Sequence, residues 1–133
     1  MQNMSGGKTA LGLDTNVGAL VCYLNICIPA GLIYSIIVLV TDKTNKLPRF
    51  HAMQSILLSV AATVILIPLY IITIGLAISG SSILALFATL LWLAMAVVGL
   101  GALVFIVLSA IKAYGGEVYK IPFVGEFADK WSN

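Results

Sequence analysis

Three stretches without a single charged residue dominate this 133-residue chain, namely residues 17–40, 53–78 and 83–111. A helix needs about 20 apolar residues to cross the hydrocarbon core of a bilayer, and about 18 or more without charge mark a candidate span. Lipid offers the backbone no hydrogen-bonding partner, so such segments must be helical. The sequence therefore predicts an all-α integral membrane protein with three transmembrane helices.

The composition excludes the soluble alternatives. Hydrophobic residues make up 61% of the chain and charged residues 9%, whereas soluble domains average roughly 45–50% and about 25%. A domain of this size leaves too much of its chain exposed to hide so many apolar side chains from water. The formal net charge of +2 is too small for a nucleic-acid binder. We expect membrane lipids, other membrane proteins or a second copy of the chain as partners, and no nucleic acid.

The distribution of basic residues predicts the orientation in the membrane. We expect a flexible leader at residues 1–12 and a single membrane domain at 13–133, in which the short Ser79–Ser82 turn makes a hairpin of the second and third spans. Six of the seven Lys and Arg residues lie in the loop at 41–52 or beyond the third span, and only Lys8 precedes the first. Excess Lys and Arg mark the cytoplasmic side. These counts predict a multi-pass protein of the cell's inner membrane, with its N-terminus outside and its C-terminus in the cytoplasm.

Two prolines and one asparagine interrupt the apolar spans. Pro29 cannot donate to the carbonyl of Asn25, so that carbonyl and the Asn25 side chain need another partner. The kink is satisfied either locally, by nearby hydroxyls or water, or by a polar contact with another helix or subunit. Pro68 interrupts the second span in the same way. No Asp, Glu, Lys, Arg or His lies in any span, which argues against a proton-coupled transporter.

The loop leads into the second span through the sequence Arg49-Phe50-His51-Ala52-Met53-Gln54-Ser55. In a helix that begins near Pro48, His51, Gln54 and Ser55 share one face. His51 is the only histidine, and it either hydrogen-bonds to its own turn or to the tail, or serves as a ligand for a haem or chlorophyll-type pigment or in proton transfer. Two cysteines and one histidine cannot build a zinc-type cluster. We expect lipid contacts, no metal and no cofactor, with pigment at His51 as the open alternative.

The tail at residues 114–133 combines helix breakers with regularly spaced aromatics. Gly115-Gly116 ends the third span, and Pro122 prevents a continuous restart. The aromatic residues recur every four positions among charged ones, as Tyr119, Phe123, Phe127 and Trp131. Aromatic rings are favoured at the headgroup level, so this pattern predicts an amphipathic, interfacial C-terminal segment.

Two segments resemble signatures of a known family. The motif from Arg49 to Ser55, and the tail stretches Ala113-Tyr114-Gly115-Gly116, Tyr119-Lys120-Ile121-Pro122 and Gly125-Glu126, are similar to those of small bacterial and archaeal membrane proteins of the Tic20-like group. That group includes the domain-of-unknown-function 4870 proteins and relatives of the magnetosome protein MamF. The resemblance runs roughly from Leu13 to Ala128. It implies a compact multi-helix membrane domain with a cytoplasmic motif loop, and its plant relatives are associated with protein import across the inner chloroplast envelope.

Both signature segments fall on the predicted cytoplasmic side, which suggests that they bind each other. We expect Arg49, His51 and Gln54 to hydrogen-bond or ion-pair with the tail, through Glu126 or Glu117. The sequence contains no recognisable catalytic set. We therefore expect a non-catalytic accessory or scaffold subunit of a larger membrane complex, or alternatively an oligomeric channel or protein-translocation component resembling Tic20. The candidate site residues are Arg49, Phe50, His51, Gln54, Ser55, Tyr119, Lys120, Pro122, Gly125 and Glu126.

Overall fold

The structure, a computed structural model, describes residues 6–24 and 29–133. Within these residues the chain forms one short 3-10 turn at Ala10–Gly12 and five α-helices. The prediction of an all-helical protein is confirmed. The helices are α1 (Thr15–Val21), α2 (Ala30–Thr41), α3 (Lys46–Ala77), α4 (Ser82–Tyr114) and α5 (Val124–Trp131).

The first predicted span is not one continuous helix. Helix α1 ends at Val21, and the amides of Tyr23 and Leu24 bond carbonyls three residues back, which tightens the chain into a turn. Pro29 precedes α2 rather than kinking a longer helix, a position where its missing N–H is tolerated. Asn25 lies outside the described residues. A third membrane span is therefore not confirmed.

The described chain divides into two compact units, one formed by Met1–Ser59 with Phe105–Asn133 and the other by Val60–Val104. The second unit consists of the distal part of α3, a turn, and the first part of α4. Gly80 adopts φ +78° in the turn, a conformation that costs glycine little. The rings of Tyr70 and Trp92 meet edge to face, with centroids 5.9 Å apart. Helix α3 continues through Pro68.

Helices α3 and α4 are both long and apolar enough to cross a membrane, and the most apolar part of each is almost entirely exposed. They contain 32 and 33 residues, about 48 and 50 Å at about 1.5 Å per residue. This exceeds the roughly 30 Å of a hydrocarbon core. Apolar helices with exposed flanks of this kind suit a lipid environment rather than water.

The first unit contains the loop, the tail, α1 and α2 packed around two small apolar clusters. One cluster joins Cys22 and Val38 to Ala52 of α3, and the other joins Tyr23 and Leu47 to residues including Ala113 of α4. Helix α5 closes the chain in the same unit. This unit holds nearly all the candidate site residues.

The leader contacts the loop, contrary to the expectation that the two lie on opposite sides of the membrane. The Thr9 hydroxyl donates to the Asp42 carboxylate at 2.5 Å, and the Asn45 side chain donates to the Lys8 carbonyl at 2.8 Å. Both Thr9 and Asp42 are buried. An N-terminus outside the cell is therefore not confirmed, because residues that touch cannot lie on opposite faces of a bilayer.

Candidate functional site

A hydrogen-bonded turn at Asp42 precedes α3, and the start of α3 presents one buried polar face. The Asp42 carboxylate accepts hydrogen bonds from the amides of Thr44 and Asn45, both at 3.1 Å, just before the helix begins. Burial alone raises the pKa of Asp42, but the hydrogen bonds from Thr9, Asn45 and Thr44 outweigh it and hold that pKa below its ordinary value. Further along the helix, His51, Gln54 and Ser55 share a face and are all buried.

Both ring nitrogens of His51 are hydrogen-bonded. Nε2 lies 3.0 Å from the backbone carbonyl oxygen of Glu117, and Nδ1 lies 2.7 Å from the hydroxyl of Tyr23. A carbonyl only accepts, so Nε2 carries a proton, and in the neutral ring Nδ1 accepts from Tyr23. The ring is fully buried, with Tyr23 and Phe50 packed edge to face against it. A haem or pigment metal at either nitrogen would first have to displace one of these partners.

Gln54 uses both ends of its amide. Its Nε2 donates to the Tyr23 hydroxyl at 2.7 Å and to the Tyr119 carbonyl at 3.0 Å, while its Oε1 accepts from the Ile121 amide at 3.0 Å. One fully buried side chain thus joins three segments: the end of α1, the start of α3 and the tail. Ser55 adds a link between α3 and the α1 end, donating to the Cys22 carbonyl at 2.5 Å.

Arg49 holds the far end of the tail. Its Nε donates to the Ser132 carbonyl at 2.9 Å, and its Nη1 donates to the carbonyls of Leu39 and Asp42 at 3.0 and 2.6 Å. The guanidinium therefore links the end of α2, the loop and the C-terminal segment through hydrogen bonds. We call Arg49, His51 and Gln54, with the tail backbone groups that they bind, the clasp.

Ion pairs reinforce the clasp at its edge. Asp129 pairs with Lys46 of α3 and with Lys120 of the tail, each at 2.8 Å. Hydrogen bonds from Lys120 and Lys46 lower the pKa of the Asp129 carboxyl. All three side chains are about a third or more exposed, so each pair alone adds little to stability. Asp129 of α5 is thereby linked to both Lys46 at the start of α3 and Lys120 of the tail.

The predicted acidic partners are placed differently from the expectation. Glu117 meets His51 through its backbone carbonyl, while its carboxylate pairs with Lys112 at 3.0 Å. Glu126 is exposed. Sequence reasoning missed Asp129 as an ion-pair partner and Tyr23 as a member of the buried network. The stretch Cys22-Tyr23-Leu24, which resembles the opening of the first span in the same Tic20-like group, was the only signal that could have pointed to Tyr23.

The tail turns sharply to meet the clasp. Gly116 adopts φ +79°, and Phe123 adopts φ +66°, an unusual value for a residue with a side chain. Helix α5 then packs so closely that a Cβ on Gly125 would lie 2.6 Å from the Lys120 Cα and 2.9 Å from Gln54 Oε1. The Lys120 backbone thus passes over a site that only glycine fits, and the adjacent Pro122 is exposed.

The face of α5 that points away from the clasp is aromatic. Gly125, Ala128 and the following Ser132 are buried, whereas Phe123 is 85% exposed and Phe127 and Trp131 are each 54% exposed. The rings of Phe127 and Trp131 lie 5.8 Å apart. The predicted spacing of four therefore produces one exposed patch of three aromatic side chains, which we call the aromatic patch (Phe123, Phe127 and Trp131).

Among residues 6–24 and 29–133, no three His, Cys, Asp or Glu side chains are grouped so that they could hold a metal ion. Two long, lipid-suited helices, together with a polar unit held by buried hydrogen bonds, define a small helical membrane protein. Residues 13–128 match the magnetosome magnetite crystal formation protein family, and the chain belongs to that family. The expected relationship to MamF is confirmed, whereas the Tic20-like and 4870 names are not.

Two archaeal proteins are similar to this chain. The UPF0132 membrane protein MJ1443 of Methanocaldococcus jannaschii is 33% identical over 126 residues, which cover 95% of this chain and 96% of the relative. The UPF0132 membrane protein MJ1527 of the same organism is 32% identical over 122 residues, covering 92% of this chain and 73% of the relative. No solved structure matches the chain. The names of both relatives agree with a membrane location.

Proposed function

We propose that this protein is a non-catalytic membrane subunit that acts as a scaffold, with its clasp on the cytoplasmic side of the inner membrane. One observation carries the proposal: the polar motif side chains bind backbone groups of other segments. Arg49, His51 and Gln54 together bond the carbonyls of Ser132, Glu117 and Tyr119. Side chains used in this way fix the path of the chain and are not available to act on a substrate.

The clasp gives the aromatic patch a fixed position. A patch of aromatic rings held by a rigid backbone is suited to binding another protein, because aromatic side chains dominate interface energetics and lose little rotamer freedom on binding. The partner in this proposal is another membrane protein or a second copy of the chain, while lipid covers α3 and α4. From the family description we carry over only the membrane setting.

The orientation follows from charge. The loop, the last turn of α4 and the tail contain six of the seven basic residues, and contacts such as Lys46 with Asp129 join the loop end of α3 to the tail. Excess positive charge near membrane helices marks the cytoplasmic side. The aromatic patch would then meet partners at the inner surface of the membrane.

Site-specific photo-crosslinking in intact cells tests the proposal. A p-benzoylphenylalanine residue replaces Phe127 in the patch, and in a matched control it replaces Phe87, which is 55% exposed on α4. We expect a discrete protein adduct from position 127 that disappears when Gln54→Ala loosens the clasp, and only lipid adducts from position 87. An adduct of twice the chain mass identifies a second copy as the partner. Lipid adducts alone at both positions contradict the proposal.

A further inference from the structure

Residues just before the first apolar segment contact residues at or just after its end. At its start, the Asn16 side chain donates to the carbonyl of Tyr114, the last residue of α4, at 2.9 Å. Just before that, Tyr34 of α2 donates to the Ala10 carbonyl at 2.9 Å, and Thr9 donates to Asp42 directly after α2. Chain that leaves and returns to one point crosses the membrane an even number of times.

Helix α2 runs antiparallel to the first turns of α3. The Leu39 carbonyl near the end of α2 accepts from Arg49 at 3.0 Å. Val38, one residue earlier on α2, belongs to the same buried cluster as Ala52, which lies about one turn further along α3 than Arg49. The pairing advances along α3 as it moves back along α2, so α2 leads inward from the loop beside α3.

Helix α2 is too short to cross. Its 12 residues span about 18 Å at about 1.5 Å per residue, against roughly 30 Å of hydrocarbon core. Helix α1 has seven residues and reaches only the level of Ser55, where the Cys22 carbonyl accepts the serine hydroxyl. One leaflet with its headgroups is roughly 20 Å thick, so neither helix extends beyond one leaflet when its outer end lies at the level of the headgroups.

One side of α2 is apolar and exposed. Ile33, Ile36 and Val40 are 57%, 50% and 64% exposed, while Tyr34, Ser35 and Val38 face the interior of the unit. In a chain whose neighbouring helices suit lipid, side chains of this kind are stabilised by acyl chains rather than by water. We therefore take lipid acyl chains as the molecules that cover this exposed side of α2.

From these observations we infer that α1 and α2 form a re-entrant element that enters and leaves the cytoplasmic leaflet, with Ile33, Ile36 and Val40 against its acyl chains. The protein then crosses the membrane twice, through α3 and α4, and its leader, loop and tail all lie in the cytoplasm. The element widens the protein in one leaflet only.

Cysteine labelling from each side of the membrane tests the topology. In a background of Cys22→Ala and Cys27→Ala, the variants Lys8→Cys, Lys43→Cys and Ser79→Cys place single thiols at exposed positions of the leader, the loop and the distal turn. We expect a membrane-impermeant maleimide to label positions 8 and 43 in inverted vesicles, and position 79 in right-side-out vesicles. Labelling of position 8 together with position 79 overturns the inference, because the first segment would then span.

Spin labels test the lipid contact in vesicles of phosphatidylethanolamine and phosphatidylglycerol at a ratio of three to one. Nitroxides replace Ile33, Ile36 or Val40, and a reference nitroxide replaces Leu93, which is 60% exposed on α4. We expect oxygen to relax the α2 labels more than a water-soluble nickel chelate does, with Ile33 deeper than Val40 and none as deep as Leu93. Preferential relaxation by the nickel chelate, or an α2 label past the bilayer midplane, overturns the inference. Both measurements are independent of whether the aromatic patch binds a partner.

Discussion

Replacing Gln54 tests whether the clasp holds the tail. Its amide accepts from the Ile121 amide and donates to the Tyr119 carbonyl, both at 3.0 Å, and it is fully buried. The variant Gln54→Met keeps a similar volume and removes all of these hydrogen bonds. A buried polar group left without a partner costs about 1–3 kcal/mol. Two such backbone groups therefore weaken tail docking by roughly 2–6 kcal/mol.

Hydrogen exchange followed by mass spectrometry measures this change directly. Local opening of the tail exposes its amides, and roughly every 1.4 kcal/mol of lost stability raises the exchange rate tenfold. We expect at least a tenfold increase for peptides within residues 115–131 of Gln54→Met in lipid nanodiscs. Thr89→Met is the matched control, since the Thr89 hydroxyl donates only to the Ala85 carbonyl of its own helix. Unchanged exchange of the tail in Gln54→Met would refute the assignment of Gln54 as the central link of the clasp.

Two further variants probe the same end of the molecule. Gly125→Ala should destabilise the tail by about 1–3 kcal/mol, because its Cβ would lie 2.6 Å from the Lys120 backbone. Gly101→Ala is the control and should leave the tail unchanged, because a Cβ there has no described atom within 4 Å apart from its chain neighbours and the backbone of its own helix. Equal exchange of the tail in the two variants contradicts this prediction. For Asp129, whose pKa is lowered in the folded protein, the ion pairs stabilise the tail above the unfolded pKa of about 3.9 and are lost as the pH falls through the folded pKa. After correction for the intrinsic pH dependence of amide exchange, the free energy of tail opening should therefore fall between pH 5 and pH 3 (approximate limits of this window) more in the parent chain than in Asp129→Asn. Equal pH dependence in the two chains would argue against the pairing.

Local spacing predicted which side chains share a face, but not the groups that they bind. The i, i+3 and i+4 positions of His51, Gln54 and Ser55 follow from helix geometry alone. Their partners are backbone groups such as the Ile121 amide, whose position depends on the turns at Gly116 and Phe123. A left-handed conformation at a phenylalanine has no sequence signal. Pairing acidic with basic side chains therefore led to Glu126, whereas the tail presents Asp129 to Lys46.

Hydropathy predicted α3 and α4, whereas the single helix expected over residues 17–40 is interrupted after Val21. A count of apolar residues measures how much surface prefers lipid, but it does not detect a turn within an apolar segment. Residues 17–40 have the required length, yet α1 ends at Val21, where the turn brings Tyr23 to His51 and Gln54. Polar side chains of α3 thus supply the partners that allow the chain to leave its helix.

The charge distribution contained a signal that the three-span prediction did not use. With three spans, Lys8 is the only basic residue on the outer side and the other six lie in the cytoplasm. With the re-entrant element, all seven fall on one side, and the positive-inside rule has no exception in this chain. Lys8 also pairs with Asp14 at 2.6 Å, next to the leader contacts with Asp42 and Asn45. Lys8 is therefore the charge that distinguishes the two topologies, because the two crossings inferred above satisfy both the charge rule and the contacts of the leader.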